Sequence, residues 1–297
     1  MIAGAMRIAM AHMHTDNGSK NLRLAFFLNF GFAILEIGGG LWTNSVAILS
    51  DAVHDLGDSL AIGSAWFLEK RSHRVGDHKY SYGYRRFSVL GAAINAVVLL
   101  VGSFFVLSEA ITRLFQPEPA MAEGMIAFAV VGILVNGFAV LKLRGQSSLN
   151  ASVVAWHLLE DVLGWTAVLV VGVVLLFADI QVLDPILSIL ITLYVLFNVV
   201  RNLRKTLAVF LQAVPEGVEI AELERQFLEI DGVHSTHHTH VWSLDGQNHV
   251  LTTHVVVDPT LDLEAVGAIR QRVRKLAAEN KFGHTTVEIE REGDACK

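Results

Sequence analysis

The sequence predicts an α-helical membrane protein with six transmembrane helices, followed by a small cytoplasmic α+β domain. Hydrophobic residues make up 53% of the 297 positions and charged residues 18%, whereas soluble domains average roughly 45–50% and about 25%. A membrane crossing needs about 20 mostly apolar residues, and six segments of the sequence are that long. Residues 206–297 instead hold 8 Lys and Arg against 15 Asp and Glu, with seven of the thirteen His. The chain is therefore an apolar body joined to an acidic, His-rich one.

Turn-forming residues separate the six apolar segments. Thr43-Asn44-Ser45 follows the first, and the two prolines Pro117 and Pro119 follow the third. The predicted spans are 22–42, 46–68, 88–112, 122–143, 150–177 and 183–203. We predict three parts: a flexible cytoplasmic tail at 1–19, a transmembrane domain at 20–205 and a cytoplasmic domain at 206–297.

The distribution of basic residues predicts which side of the membrane each connection occupies. One set of connections holds Arg7, Lys20, Arg23, Lys70, Arg71, Arg74, Lys79, Arg85, Arg86, Lys142, Arg144, Arg201, Arg204 and Lys205. The opposite set holds Arg113 alone. Because connections rich in Lys and Arg stay in the cytoplasm, we expect both termini to be cytoplasmic.

The C-terminal part alternates helical and strand patterns. Segments 216–228 and 262–279 have helical periodicity, and segments 237–244, 249–257 and 284–290 are rich in Val, Thr and Ile. This order predicts a small α+β domain.

Two of the spans contain a His together with an Asp; ionisable residues are costly in a bilayer and are therefore candidates for function. The second span contains His54 and Asp58, and the fifth contains His157 and Asp161. Each pair has the i, i+4 spacing that places both side chains on one face of a helix. If the two faces meet, they provide two imidazoles and two carboxylates, which suits tetrahedral Zn²⁺.

A single buried His–Asp pair would equally serve to tie two helices together. Two identical pairs on separate spans favour a metal site. The His-Glu-x-x-His spacing of zinc proteases and a phosphate-binding Gly-x-x-x-x-Gly-Lys loop are both absent from the sequence. We therefore expect neither an enzyme nor an ATP-driven pump. The acidic composition gives no reason to expect nucleic-acid binding.

These residues resemble the cation diffusion facilitator family, most closely its zinc/cobalt/cadmium efflux branch. The resemblance covers essentially the whole chain from about residue 20. It is carried by Ser50-Asp51-Ala52-x-His54-x-x-x-Asp58, His157-x-x-x-Asp161, Asn44-Ser45-Val46-Ala47-Ile48-Leu49, Tyr82-Gly83-Tyr84-Arg85-Arg86 and His240-Val241-Trp242-Ser243-Leu244. The paired intramembrane motifs are specific, and the other three would be weak alone.

The resemblance implies a homodimeric exporter that exchanges a divalent cation for protons by alternating access. His54, Asp58, His157 and Asp161 would form its transport site, with no further cofactor, and the tail would have a metallochaperone-like fold. A histidine at the position of His54 resembles zinc-selective members, and Co²⁺, Cd²⁺ and Ni²⁺ remain open as cargo. A bacterial inner membrane is the expected location. The alternative function is a zinc-sensing membrane receptor without net transport.

The histidines of the tail suggest a second, regulatory zinc site. By the resemblance, His237, His254 and Glu288 match ligand positions of such a site best, with Glu290 or His240 as further candidates. The alternative is that these histidines lie on solvated strand faces. Cys296, the single cysteine, leaves His and carboxylates as the available ligands.

Other polar residues have weaker signals. Asp51 could assist the transport site or contact a neighbouring helix, and Glu36 and Asn29 could face the same interior or pair with backbone. The loop holding His73 and His78 is where some relatives bind a second zinc. Because Tyr80 and Tyr84 occupy the matching positions here, we expect solvated histidines instead.

Overall fold

The computed structural model describes residues 23, 26–72, 76–143 and 149–293, so the predicted tail at 1–19 lies outside the described residues. Six long helices coincide with the six predicted spans. They are α1 (Phe26–Thr43), α2 (Val46–Ser72), α3 (Arg86–Phe115), α4 (Ala122–Leu143), α5 (Leu149–Phe177) and α6 (Leu183–Phe210). The predicted six-helix membrane domain is confirmed.

Four of these helices contain segments long and apolar enough to cross a membrane on length and composition alone. They are Phe26–Thr43, Arg86–Phe115, Leu159–Phe177 and Leu183–Phe210. Within the described side chains of α4 the apolar segment is Ala122–Phe138. Helix α2 is less apolar because it contains Asp51, His54, Asp55 and Asp58.

Small residues and interhelical hydrogen bonds hold the helices together. A methyl group on Gly57 of α2 would overlap Leu99 of α3, and one on Gly132 of α4 would overlap Trp165 of α5. Ser50 of α2 and Thr192 of α6 share a hydrogen bond of 2.8 Å between their hydroxyls. Close approach and polar contacts of this kind are what stabilise helix pairs in lipid, where the hydrophobic effect gives little help.

The chain separates into two compact units. The first consists of residues 1–69 and 91–203, and the second of 70–90 and 204–297. The second unit thus joins the loop between α2 and α3, with the first residues of α3, to the end of α6 and the C-terminal domain. The predicted domain limits at 19/20 and 205/206 stay predictions.

The C-terminal domain has the predicted α+β composition. Its elements are α7 (Ile220–Leu228), β1 (Val233–Ser243), β2 (His249–Val257), α8 (Leu263–Glu279) and β3 (Phe282–Arg291). Strand β1 pairs antiparallel with β2, and β2 pairs parallel with β3 through the crossover helix α8, which gives the order β1-β2-β3. Phe227, Leu251, Val255 and Val273 are fully buried in its core.

The α2–α3 loop packs against this domain within the second unit. The Tyr84 hydroxyl donates to the Asp77 carboxylate (2.7 Å), as do the backbone N–H groups of Tyr80 and Lys79. These hydrogen bonds hold the pKa of Asp77 below its usual range. The ring of Tyr82 meets those of Trp242 (6.3 Å between centroids) and His284 (5.3 Å) edge to face. The tyrosines of the loop therefore have structural contacts of their own.

Candidate metal sites

The first candidate site lies on α2, where His54 and Asp58 are neighbours one helical turn apart. Their Nε2 and Oδ2 atoms are 3.6 Å apart, and each side chain is 25% exposed. The predicted i, i+4 pair is thus present and partly buried. Partial burial suits an ion site, since the ligands must be shielded from water and yet have an entry path.

Helix α5 supplies the second predicted pair. Asp161 is half-buried, whereas the His157 side chain lies outside the described part of the structure. Gly164, one turn beyond Asp161, faces α2: a methyl group there would lie 3.8 Å from Asp51 Oδ1. The acidic faces of α2 and α5 therefore approach one another.

A third acidic group comes from α1. Glu36 is fully buried. The acidic side chains close to it are Asp55, Asp51 and Asp161. Glu36 therefore belongs to the same acidic interior, the first of the two alternatives from sequence. Asn29 contacts α2, since its Nδ2 donates to the Asp55 carbonyl (3.2 Å) and the Ser59 hydroxyl (3.1 Å).

The second candidate site is on the sheet of the C-terminal domain. Glu290 is almost buried and contacts two histidines: its Oε1 is 2.6 Å from His254 Nδ1 and its Oε2 is 3.1 Å from His237 Nε2. His254 Nε2 also lies 3.6 Å from Glu288 Oε2. The strand register explains the arrangement, because His237 is directly opposite His254 on β2, and His254 is opposite Glu288 on β3.

A third histidine, His238, completes this cluster and was not among the predicted ligands. Side chains alternate between the faces of a regular strand, which would put His237 and His238 on opposite sides. The strand has a β-bulge between His237 and His240, and His238 has a positive φ of 49°. The bulge brings the ligand atoms of His237, His238 and His254 within 4.8 Å of one another. No pattern in the sequence marks a bulge at this point.

The structure separates His240 from the cluster. His240 lies beyond the bulge, opposite Thr252, and its exposed ring stacks on that of His238 at 6.4 Å. The residues that meet are thus His237, His238, His254, Glu288 and Glu290. Three imidazoles and a carboxylate with ligand atoms this close suit Zn²⁺.

These features define the chain as an integral membrane protein that offers imidazole and carboxylate groups inside its helical bundle and again on its C-terminal sheet. The family model described as "Cation efflux transmembrane domain" matches residues 22–211, and the model "Cation efflux protein, cytoplasmic domain" matches residues 215–292. The chain belongs to the cation efflux family, the cation diffusion facilitators, as the paired motifs indicated.

Named relatives agree over nearly the full length. The chain is 34% identical to the metal cation efflux system protein CzcD of Cupriavidus metallidurans, covering 94% of this chain and 89% of that protein. It is 34% identical to zinc transporter ZitB of Escherichia coli, covering 94% and 90%. It is 27% identical to a "cadmium, cobalt and zinc/H(+)-K(+) antiporter" of Bacillus subtilis, covering 95% and 93%.

Proposed function

We propose that this protein exports Zn²⁺ from the cytoplasm in exchange for protons, with His54, Asp58, His157 and Asp161 as its transport site. The observation that carries the proposal is the His54–Asp58 couple, partly buried on the face of α2 that approaches α5. The printed names of relatives support the cargo, since they include a zinc transporter and a metal/proton antiporter. Two imidazoles with two carboxylates suit tetrahedral Zn²⁺, and Co²⁺, Cd²⁺ or Ni²⁺ are the alternative cargo.

Coupling to protons follows from the ligands themselves. Imidazoles and carboxylates bind a metal only when deprotonated, so metal and protons compete for them. In the inward-facing state the site binds Zn²⁺. After the outward movement, protons displace the ion, and the protonated site returns. Protons on the return step offset the cost of leaving carboxylates without a counterion in a low dielectric.

The proposed orientation has both termini in the cytoplasm of a bacterial cell, with the transport domain in the inner membrane. The uneven distribution of basic residues supports the orientation, and the bacterial relatives support the compartment. The proposed role is transport without bond cleavage, since the sequence lacks the His-Glu-x-x-His spacing of zinc proteases.

Zinc flux into inverted vesicles with an imposed pH gradient tests this function. The wild type should accumulate Zn²⁺, and His157→Ala should abolish the proton-driven component. The matched control is His78→Ala, an exposed loop histidine that should transport normally. Normal uptake by His157→Ala would refute the site assignment. No flux in the wild type, with zinc still bound, would favour the receptor alternative.

We further propose that the C-terminal cluster is a regulatory zinc site in a homodimer. Its support is the meeting of His237, His238 and His254 with the almost buried Glu290. Zinc binding there would fix the two tails in one arrangement. Zinc titration of the full chain in an Asp58→Asn/Asp161→Asn background isolates the cluster, and the subunit number should be measured in parallel by light scattering. Absence of micromolar zinc binding in that background would refute the regulatory site.

A further inference from the structure

A cavity of about 410 Å³ lies in the second unit, between the α2–α3 loop and the C-terminal domain. Tyr82 and Trp242 belong to its wall, as do Leu90 from the start of α3 and Phe210 from the end of α6. Neither proposed metal site includes a residue of this wall. The cavity therefore needs an explanation of its own.

Three basic residues line the cavity, namely Lys79, Arg85 and Arg86. The described wall contains no Asp or Glu. Arg85 Nη1 lies 3.8 Å from Asp245 Oδ2, which also accepts a hydrogen bond from Asn248 Nδ2. Lys79 is next to Asp77, whose carboxylate accepts the Lys79 backbone N–H (2.8 Å). Arg86 is half-buried. The cavity thus presents a concentrated positive charge that an anion would complement.

Most of the remaining wall is apolar or aromatic, with Ser81 and Gln212 as further polar residues. Leu90 is 45% exposed and Phe210 is 37% exposed. Leu90 lies in the second turn of α3 and Phe210 ends α6, and both helices are long and apolar enough to cross a membrane. Tyr and Trp, which belong to the same wall, are the residues that prefer the headgroup level of a bilayer. One wall therefore combines cations with apolar surface at the ends of two helices that are long and apolar enough to cross a membrane.

We propose that this cavity binds the phosphate of an anionic phospholipid. The phosphodiester would pair with Arg85, Arg86 and Lys79, and the first carbons of the lipid would lie along Leu90 and Phe210. Arginine is suited to this role because its planar guanidinium binds phosphate oxygens bidentately, and basic pockets at the cytoplasmic ends of helices are known to take such headgroups. A soluble phosphate has the same negative charge as the lipid phosphate, but it has no apolar part to contact Leu90 and Phe210. A phospholipid contacts both the basic and the apolar residues of the wall, so it is the better fit.

Native mass spectrometry of the full-length, detergent-purified protein tests the proposal by measuring which lipids it retains. The probes are phosphatidylglycerol and phosphatidylcholine with identical acyl chains, followed by inorganic phosphate as competitor. The test variant is Arg85→Gln/Arg86→Gln. The matched control is Arg201→Gln/Arg204→Gln, which removes two exposed arginines of α6 that do not line the cavity. Arg86→Lys keeps the charge and reports on folding.

We expect one phosphatidylglycerol per subunit in the wild type, the control and Arg86→Lys. Affinity should fall about five-fold for each charge removed in the test variant. Equal retention of both lipids by the wild type, or an equal loss in the control, would overturn the proposal. Displacement of phosphatidylglycerol by millimolar inorganic phosphate would assign the cavity to a soluble anion and overturn the lipid assignment. None of these outcomes depends on zinc transport, so failure here is distinguishable from failure of the exporter function.

Discussion

The Asp184 carboxylate at the start of α6 caps the N-terminus of α2. It accepts hydrogen bonds from the Val46 N–H (2.7 Å) and the Ser45 hydroxyl (2.5 Å), and a longer one from the Ala47 N–H (3.4 Å). The first N–H groups of a helix have no partner within it, so a carboxylate there satisfies donors and complements the helix dipole. Because α2 carries His54 and Asp58, this contact fixes the helix that bears half of the proposed transport site.

Asp184→Asn should therefore destabilise the protein and slow transport together. The amide keeps one acceptor oxygen but loses the charge, and charge-assisted hydrogen bonds contribute about 1.5–3 kcal/mol. We expect a loss of about 2 kcal/mol, measured as a lower thermal unfolding midpoint in detergent. Asp179→Asn, in the exposed loop just before α6, is the control and should leave the midpoint unchanged. An unaltered midpoint in Asp184→Asn would show that α2 is fixed by other contacts.

Gly57 tests whether close packing of α2 on α3 matters at the site. Because Gly57 has no side chain, Leu99 packs directly against its backbone. A methyl group on Gly57 would force α2 and α3 apart at a cost of about 1–3 kcal/mol. Gly57→Ala should lower both the unfolding midpoint and zinc uptake. At Gly38 of α1 nothing lies within 4 Å of the added methyl group. Gly38→Ala should therefore be neutral or stabilising by up to about 1 kcal/mol, since Ala favours helix. Equal effects of the two changes would contradict the packing argument.

His238 provides the sharpest test of the C-terminal cluster, because it enters only through the β-bulge. In the Asp58→Asn/Asp161→Asn background, His238→Ala should weaken zinc binding at least about ten-fold, measured by isothermal titration at pH 7. His234→Ala on the same strand is the matched control and should bind normally. Lowering the pH should weaken binding in both, because protons compete for imidazole. A larger effect of His240→Ala than of His238→Ala would show that the bulge is not the ligand-forming feature.

Sequence patterns predicted the helices well because hydropathy and helical spacing are local properties. The predicted spans differ from the helices mainly at their ends: α2 continues to Ser72 and α3 begins at Arg86. A hydropathy window reports the apolar length, whereas a helix continues through polar residues into the headgroup region. Helix α7 begins at Ile220, not at 216, because a turn with Gly217 at φ +84° precedes it.

The sequence predicted only those parts of the candidate sites whose residues follow a fixed spacing along the chain. The i, i+4 step of His54 and Asp58 is enough to put them on one face. The cap on α2 by Asp184 joins residues 138 positions apart, and the bulge at His238 depends on a local backbone conformation. Neither is encoded in a periodic pattern, so both required the structure.

The buried Glu36 carboxylate is expected to lower the stability of the fold and to strengthen the attraction for Zn²⁺. Glu36 is fully buried beside Asp55, Asp51 and Asp161. In its ionised form such a carboxylate costs folding energy through desolvation and like-charge repulsion, but it attracts a divalent cation. Glu36→Gln should raise the unfolding midpoint while raising the KM for Zn²⁺ about five-fold, as loss of about 1 kcal/mol of attraction implies. Glu109→Gln, half-exposed and paired with Arg113, is the control and should leave KM unchanged. A higher midpoint with an unchanged KM would show that Glu36 does not act on the ion, and a lower midpoint would show that its carboxylate stabilises the fold.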